Sequence, residues 1–278
     1  MLTKGERLEK IYSVFPWPED LHSVEGRRRF EEACSVFREV IEHPWVRSIL
    51  GKQRIRVLDV CGGTGIGGIA LAKVLIERGL GIELVINDLR ASALDKAARY
   101  AKEVLGIDIE TLCCDATELH RLGVKADIVL MYGVSTPHFD PYRMIQLSAS
   151  LARVVNPEGV VLIEEFDRVY GLLCRVGFRA LTVERADEES AVITLDAGYD
   201  VKRGVFRRLF LDLVSMNRAV MEYRMWDVAS VAAILWVFFR DVDFKPLRSY
   251  LRGFLIAKEP RGLDPDEYRS LPSIAEGS

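Results

Sequence analysis

The chain is poor in side-chain amides: its 278 residues include three Asn and two Gln. Scarcity of these thermolabile groups marks heat-adapted proteins, so a thermophilic source is expected. No apolar run approaches the roughly 18 residues that a membrane-spanning helix needs, and the first residues lack the charged-then-apolar pattern of an export signal. A cytoplasmic address with no membrane partner is the expectation. Excess charge of one sign is also missing: 38 Lys and Arg against 41 Asp and Glu leave a formal net charge of -3. Such a balance exerts no general pull toward nucleic acid. The five cysteines, Cys34, Cys61, Cys113, Cys114 and Cys174, form no C-x-x-C pair and no metal-ligand spacing. Reduced, mostly buried thiols and no metal site are therefore expected.

Against these absences stands one dense stretch, Val57-Leu58-Asp59-Val60-Cys61-Gly62-Gly63-Thr64-Gly65-Ile66-Gly67-Gly68. An apolar run meets a carboxylate and then a glycine loop, which reads as a buried strand turning into a helix at a ligand site. Ile66, Ile69, Ala70, Leu71, Val74 and Leu75 follow at helical spacing. Gly63, Gly65 and Gly68 satisfy the dinucleotide spacing G-x-G-x-x-G, a weak signal alone. Asp59 argues against that use, because a carboxylate at the strand end repels a pyrophosphate. S-adenosylmethionine suits it better: it carries an ammonium and a sulfonium, has no phosphate, and offers a carboxylate to the helix start. On these residues the chain resembles the class I S-adenosylmethionine-dependent methyltransferases, whose first motif runs hydrophobic-Asp-x-Gly-x-Gly-x-Gly. Asp59, Gly63 and Gly65 fall on the pattern, and Cys61 stands where the first glycine belongs.

Strands and helices alternate in the manner of a doubly wound α/β sheet. Strands are read at Ile55–Val60, Glu83–Asn87, Ile109–Cys113, Ala126–Met131 and Val160–Ile163. Helices are read at Ile66–Glu77, Arg90–Leu105 and Pro141–Val155, the last stopped by Asn156-Pro157-Glu158-Gly159. Ala191–Leu195, Val205–Val214 and Ala219–Met225 then read as antiparallel strands joined by short turns. A helix Val228–Arg240 and strands Phe244–Tyr250 and Gly253–Ala257 close the order. The resemblance implies a mostly parallel seven-stranded sheet with an antiparallel final hairpin. It also implies a small antiparallel β insertion after the fifth strand that roofs the substrate pocket.

The expected organisation is an N-terminal helical cap over 1–50, a methyltransferase domain over 51–260 with its insertion at about 185–226, and a C-terminal tail over 261–278. In the resembling family the cap closes over the cofactor, so Tyr12 and Trp17 either line the pocket or pack the cap onto the sheet. The helix bearing Ala233 to Phe239 is apolar nearly all round, which a homodimer contact, a lipophilic pocket or extra core packing would each explain.

The resemblance assigns Asp88, with its neighbour Leu89, to the ribose hydroxyls, a role that a dinucleotide enzyme shares. Asp115 and the Ala116 N–H read the adenine, although Asp115 also suits a helix cap. Tyr132 and Gly133 border the methionine part, with Cys61 lining the loop. His138 is the candidate general base, since its ordinary pKa of about 6.5 lets it accept a proton at neutral pH; a loop histidine bonded to Asp140 is the competing reading. Glu164, Glu165 and Asp167 are placed at the rim where an acceptor lies. The activity implied is methyl transfer to O or N of a small-molecule acceptor, with nucleic acid disfavoured. An RNA methyltransferase using Arg28, Arg29 and the Arg203–Arg208 cluster is the alternative, followed by a nicotinamide-dependent oxidoreductase and a non-catalytic S-adenosylmethionine-binding protein.

Overall fold

The computed structural model describes residues 3–15, 17–187 and 190–275. The end of the expected tail, residues 276–278, and positions 188–189 of the insertion lie outside them. In chain order the strands are β1 (Arg54–Val60), β2 (Gly81–Asp88), β3 (Glu110–Cys113), β4 (Ala126–Met131), β5 (Val155–Phe166) and β6 (Leu181–Ala186). They continue with β7 (Ala191–Asp200), β8 (Val205–Asp212), β9 (Arg218–Tyr223), β10 (Phe239–Pro246) and β11 (Arg252–Pro260). The helices are α1 (Lys4–Tyr12), α2 (Val24–Val40), α3 (Pro44–Arg47), α4 (Ile66–Glu77), α5 (Ala91–Leu105), α6 (Pro141–Val154) and α7 (Val228–Phe238). None of the described helices is long and apolar enough to cross a membrane.

The main sheet has seven strands in the order β10-β11-β5-β4-β1-β2-β3. Its pairs are parallel except where β11 meets β5 and β10. Strand residues point alternately to opposite faces, and both faces are covered, which is why these strands read as nearly continuous apolar runs. Val57, Ile86, Leu130 and Phe254 pack on one face with Phe37 of α2 and Ile69 of α4. Leu58, Val85, Val129 and Ile163 pack on the other with Leu147 of α6 and Leu235 of α7. Each such side chain, fully withdrawn from water, contributes on the order of 1.5–3 kcal/mol.

Four expectations need correction. The fifth strand begins at Val155, because Asn156 to Gly159, read as a helix stop, forms an irregular start to the strand: the pairing with β4 shifts between Ala126 and Ile128. Asn156 Nδ2 donates to Asp127 Oδ1 at 2.9 Å and holds that shift in place. The insertion is a four-stranded antiparallel sheet, β6-β7-β8-β9, rather than three strands. Its first strand, Leu181–Ala186, is an exposed edge, so burial imposes no alternation on its sequence. The final hairpin is displaced, since Phe239 adopts an extended backbone (φ -122°, ψ 152°) and begins β10 directly after α7. Cys113 and Cys174 are exposed, against the expectation of mostly buried thiols, and all five cysteines are free. Along α7, Val231, Leu235 and Phe238 are buried while Trp236 and Val237 face outward.

Helix α1 packs across the insertion sheet through Ile11, which clusters with Val14, Val192, Phe210 and Ala219. The other end of the insertion is pinned by Trp226. Its buried indole Nε1 donates to the carbonyls of Thr136 at 3.2 Å and Phe139 at 3.1 Å, fixing the segment that follows β4. Trp226→Phe keeps most of the ring volume and removes the indole donor from the Phe139 carbonyl, while Thr136 O still accepts from Phe139 N at 3.0 Å, so a loss of about 1–3 kcal/mol is expected, read as a lower urea midpoint at unchanged m-value.

Candidate active site

The glycine loop closes as the sequence dictates. Gly63 (φ 57°) and Gly65 (φ 81°) both take left-handed backbone, and Gly65 caps α4. Cys61 does so as well at φ 54°, a conformation costing a residue with a Cβ about 1–2 kcal/mol, at the place where the family pattern has glycine. Asp59 is fully buried beneath the loop: its Oδ2 accepts from Gly68 N at 2.8 Å, and a Cβ on Gly68 would stand 2.8 Å from that oxygen. Its Oδ1 is buried with no partner. Burial pushes the carboxyl up to about 7, against the pull of the Gly68 N–H, with Asp88 adding to the rise.

Asp88, at the end of β2, accepts from Gly63 N at 2.8 Å and from Arg90 N at 2.9 Å. Arg90 in turn makes a two-pronged pair with Glu19 at 3.0 and 2.9 Å, and its guanidinium lies 4.0 Å from the centre of the Tyr12 ring. Burial works against the charge of Arg90, but these carboxylates hold its pKa above the ordinary arginine value. Thr64 Oγ1 donates to the Glu19 carbonyl at 2.6 Å, so the segment before α2 is stitched to the loop twice.

A cavity of about 500 Å³ opens beyond the carboxyl ends of the parallel strands. Among the sequence-predicted residues it gathers Cys61, Asp88, Leu89, Asp115, Ala116 and His138. Asp59, Gly63, Gly65, Tyr132 and Gly133 stand behind or beside it. Asp115 caps the seven-residue 3₁₀ segment Ala116–Leu122 through Thr117 N at 3.2 Å and also faces the cavity, so one carboxylate serves both positions. Burial would raise its pKa, but Arg143 at 2.7 Å and Lys4 at 2.9 Å overcome this and hold the carboxyl well below its usual range.

His138 is bonded to neither Asp140 nor the backbone through its ring; its Nε2 lies 3.3 Å from the Tyr12 hydroxyl. Burial, with Arg90 and Arg168 adding repulsion, pushes its pKa down to about 4, so the ring is neutral at ordinary pH. Tyr12 lines the cavity, and burial pushes its phenol up to about 12. Trp17 instead stacks on Phe15 with ring centroids 5.8 Å apart.

Glu164 and Glu165 are not rim groups. Both are fully buried, Glu164 accepting from Gly133 N at 2.8 Å and Arg252 Nη2 at 2.6 Å, Glu165 pairing with Arg168 at 2.5 Å. Asp167 caps the turn that follows, accepting from Tyr170 N at 2.8 Å. Two of the three arginines in the cluster are neutralised internally: Arg203 pairs with Asp140 and Glu222 at 2.8 Å each, and Arg207 with Glu222 at 3.3 Å, while Arg208 donates to the Arg179 carbonyl.

Arg29 has a place that sequence reasoning missed. Its guanidinium sits 4.6 Å from the Trp17 ring centre and 5.7 Å from that of Tyr132, close enough to Gly133 that a Cβ there would meet Nη2 at 2.6 Å. Its hydrogen bond goes to the Pro18 carbonyl at 3.1 Å, and no carboxylate among the described residues pairs with it. Burial lowers its pKa from the ordinary arginine value, with Tyr132 and Glu164 pulling upward. The run Arg27-Arg28-Arg29 shows no sign of this on its own; only the α2 period, which turns Arg29 inward beside Phe30 and away from exposed Arg28, distinguishes it.

Comparisons with known proteins agree with this geometry. Residues 57–159 match a family model described as a methyltransferase domain. The tRNA 5-carboxymethoxyuridine methyltransferase of Escherichia coli (strain K12) is 32% identical over 127 residues, 45% of this chain and 44% of that enzyme. The chain thus spans under half the length of the curated relative it matches. Two solved structures share the fold. The PH0226 protein of Pyrococcus horikoshii OT3 has a TM-score of 0.62 at 20% identity, over 90% of this chain and 98% of that one. CalS10, an amino pentose methyltransferase of Micromonospora echinaspora solved with S-adenosylmethionine bound, has a TM-score of 0.54 at 18% identity, over 83% and 91%. In its strand order, its glycine loop over a buried aspartate and its methyltransferase-domain match over residues 57–159, the chain is similar to the class I, Rossmann-like S-adenosylmethionine-dependent methyltransferases.

Proposed function

We propose that the protein transfers the methyl group of S-adenosylmethionine to an oxygen or nitrogen of a small-molecule acceptor. The observation that carries this reading is the cavity of about 500 Å³, walled by Asp88 and Asp115 on the sheet side and closed by α1 and β9 opposite, with His138 between. A cavity so bounded suits a ligand of drug-like size.

The residues present fit the cofactor. Asp88 offers carboxylate oxygens to the ribose diol, and Asp115 with Ala116 faces the adenine. Arg29, a cation without a carboxylate partner, is suited to the cofactor's carboxylate. Asp59 lies under the loop with one oxygen unpaired, and it stabilises the ammonium electrostatically from beneath the glycines. When bound, the cofactor supplies the electrophilic methyl; the protein's work is to align a nucleophile behind it and exclude water, a contribution of about 7–11 kcal/mol. His138 stays neutral and orients Tyr12. With a pKa of about 4 it accepts a proton only from an acceptor already made acidic by losing electron density.

A second reading, an RNA acceptor, is favoured by the 32% identity to a tRNA-directed enzyme. The pairing of Arg203 and Arg207 with carboxylates speaks against it.

By titration calorimetry, Asp88→Ala and Arg29→Met are each expected to weaken S-adenosylmethionine binding by about tenfold or more, the loss of a charge-assisted hydrogen bond; unchanged affinity in both variants overturns the cofactor assignment. The Asp59 carboxyl, pushed up to about 7 in the free protein, is drawn back down by a nearby cation, so binding releases a proton. Affinity should then rise from pH 5.5 to 8 and become flat in Asp59→Asn. The same raised pKa gives the free protein stability that is full below the unfolded value of about 3.9 and is lost as pH rises through about 7. For the acceptor, pools of small alcohols and amines should yield S-adenosylhomocysteine. His138→Ala should lower that turnover at unchanged cofactor affinity. A salt-dependent shift of tRNA, with no small acceptor turned over, would favour RNA instead.

A further inference from the structure

Beside the main cavity lies a second groove of about 470 Å³, between α1 and the free edge of the insertion sheet. Arg7 and Lys10 reach it from α1, three residues apart and so on one face of the helix, and Arg218 reaches it from β9. Its floor is apolar, from Ile11, Leu209 and Val220. No acidic residue lines it, and none of the three cations has an ion pair or side-chain hydrogen bond among the described residues. That sets them apart from the arginines nearest the cavity, Arg90, Arg143 and Arg203, each of which is held by a carboxylate. Arg7, Ile11 and Val220 line both spaces, so the groove continues the cavity that contains His138.

We propose that this groove binds an oxyanion group, phosphate-like in charge, carried on an apolar stem of the acceptor whose nucleophile reaches the main cavity. The inference rests on the small-molecule reading above and names the class of that molecule. Three like charges drawn together around an apolar floor repel one another unless an anion joins them, and a phosphate's oxygens take donors from all three. A groove of this size, with three cations at one place, suits one terminal group; a polynucleotide needs a longer cationic stripe.

Phenyl phosphate serves as the probe, with phenol as its uncharged control, in titrations of the full chain at low salt. Phenyl phosphate is expected to bind and phenol to bind at least tenfold more weakly. Lys10→Glu and Arg218→Glu, which lie outside the main cavity, should each weaken phenyl phosphate about tenfold or more and leave S-adenosylmethionine affinity within twofold, a control for folding. Equal binding of phenol and phenyl phosphate, or phenyl phosphate affinity indifferent to both charge reversals, overturns the proposal. Loss of tRNA binding in the two variants, with phenyl phosphate unbound by the unaltered protein, overturns it in favour of RNA. Failure of S-adenosylmethionine to bind the unaltered protein would sink the methyl-transfer reading instead, and is scored separately.

Discussion

Arg90 is the junction on which the site depends. Just past the end of β2, it donates its backbone N–H to Asp88 at 2.9 Å and grips Glu19 with both guanidinium Nη atoms. Its flat face lies under Tyr12, which touches His138. Glycine loop, ribose-side carboxylate, N-terminal segment and the segment after β4 are therefore coupled through one side chain. Buried charge of this kind is costly unless it is fully paired. Here the pairing partners come from three separate parts of the chain, so the geometry is met only when all three are in place.

Much of this was legible before any coordinates. The parallel strands read clearly because burial on both faces demands unbroken apolar runs, and because Gly and Pro punctuate their ends. The loop announced itself through Asp59 and five nearby glycines. What stayed hidden has physical reasons. Strand β6 is an exposed edge, free of the alternation that a buried face enforces. Glu164 and Glu165 resemble a solvated pair in sequence, yet each is buried against an arginine, Arg252 and Arg168, the former 88 residues away. Arg29 looks like one of three surface cations; its role follows from what α2 packs against, which no local pattern encodes.

The position of Asp59 also sharpens the chemical reading. A carboxylate read as a direct ligand turns out to stand behind the loop, bracing Gly68 and keeping one oxygen in reserve. Added Cβ atoms on Gly62 or Gly68 would collide with the carboxylate, so the loop can close over Asp59 only with bare glycine backbone. Glycine in this loop thus serves the aspartate below as much as any ligand above.

Helix α1 touches both sides of the cavity at once: Lys4 is paired with Asp115 on the sheet, while Ile11 is packed into the insertion. Both seats belong to one nine-residue helix, so this side of the cavity is covered by a single element. This side of the cavity is therefore held at two chemically different seats, an ion pair that salt weakens at one end and an apolar contact that salt leaves intact at the other.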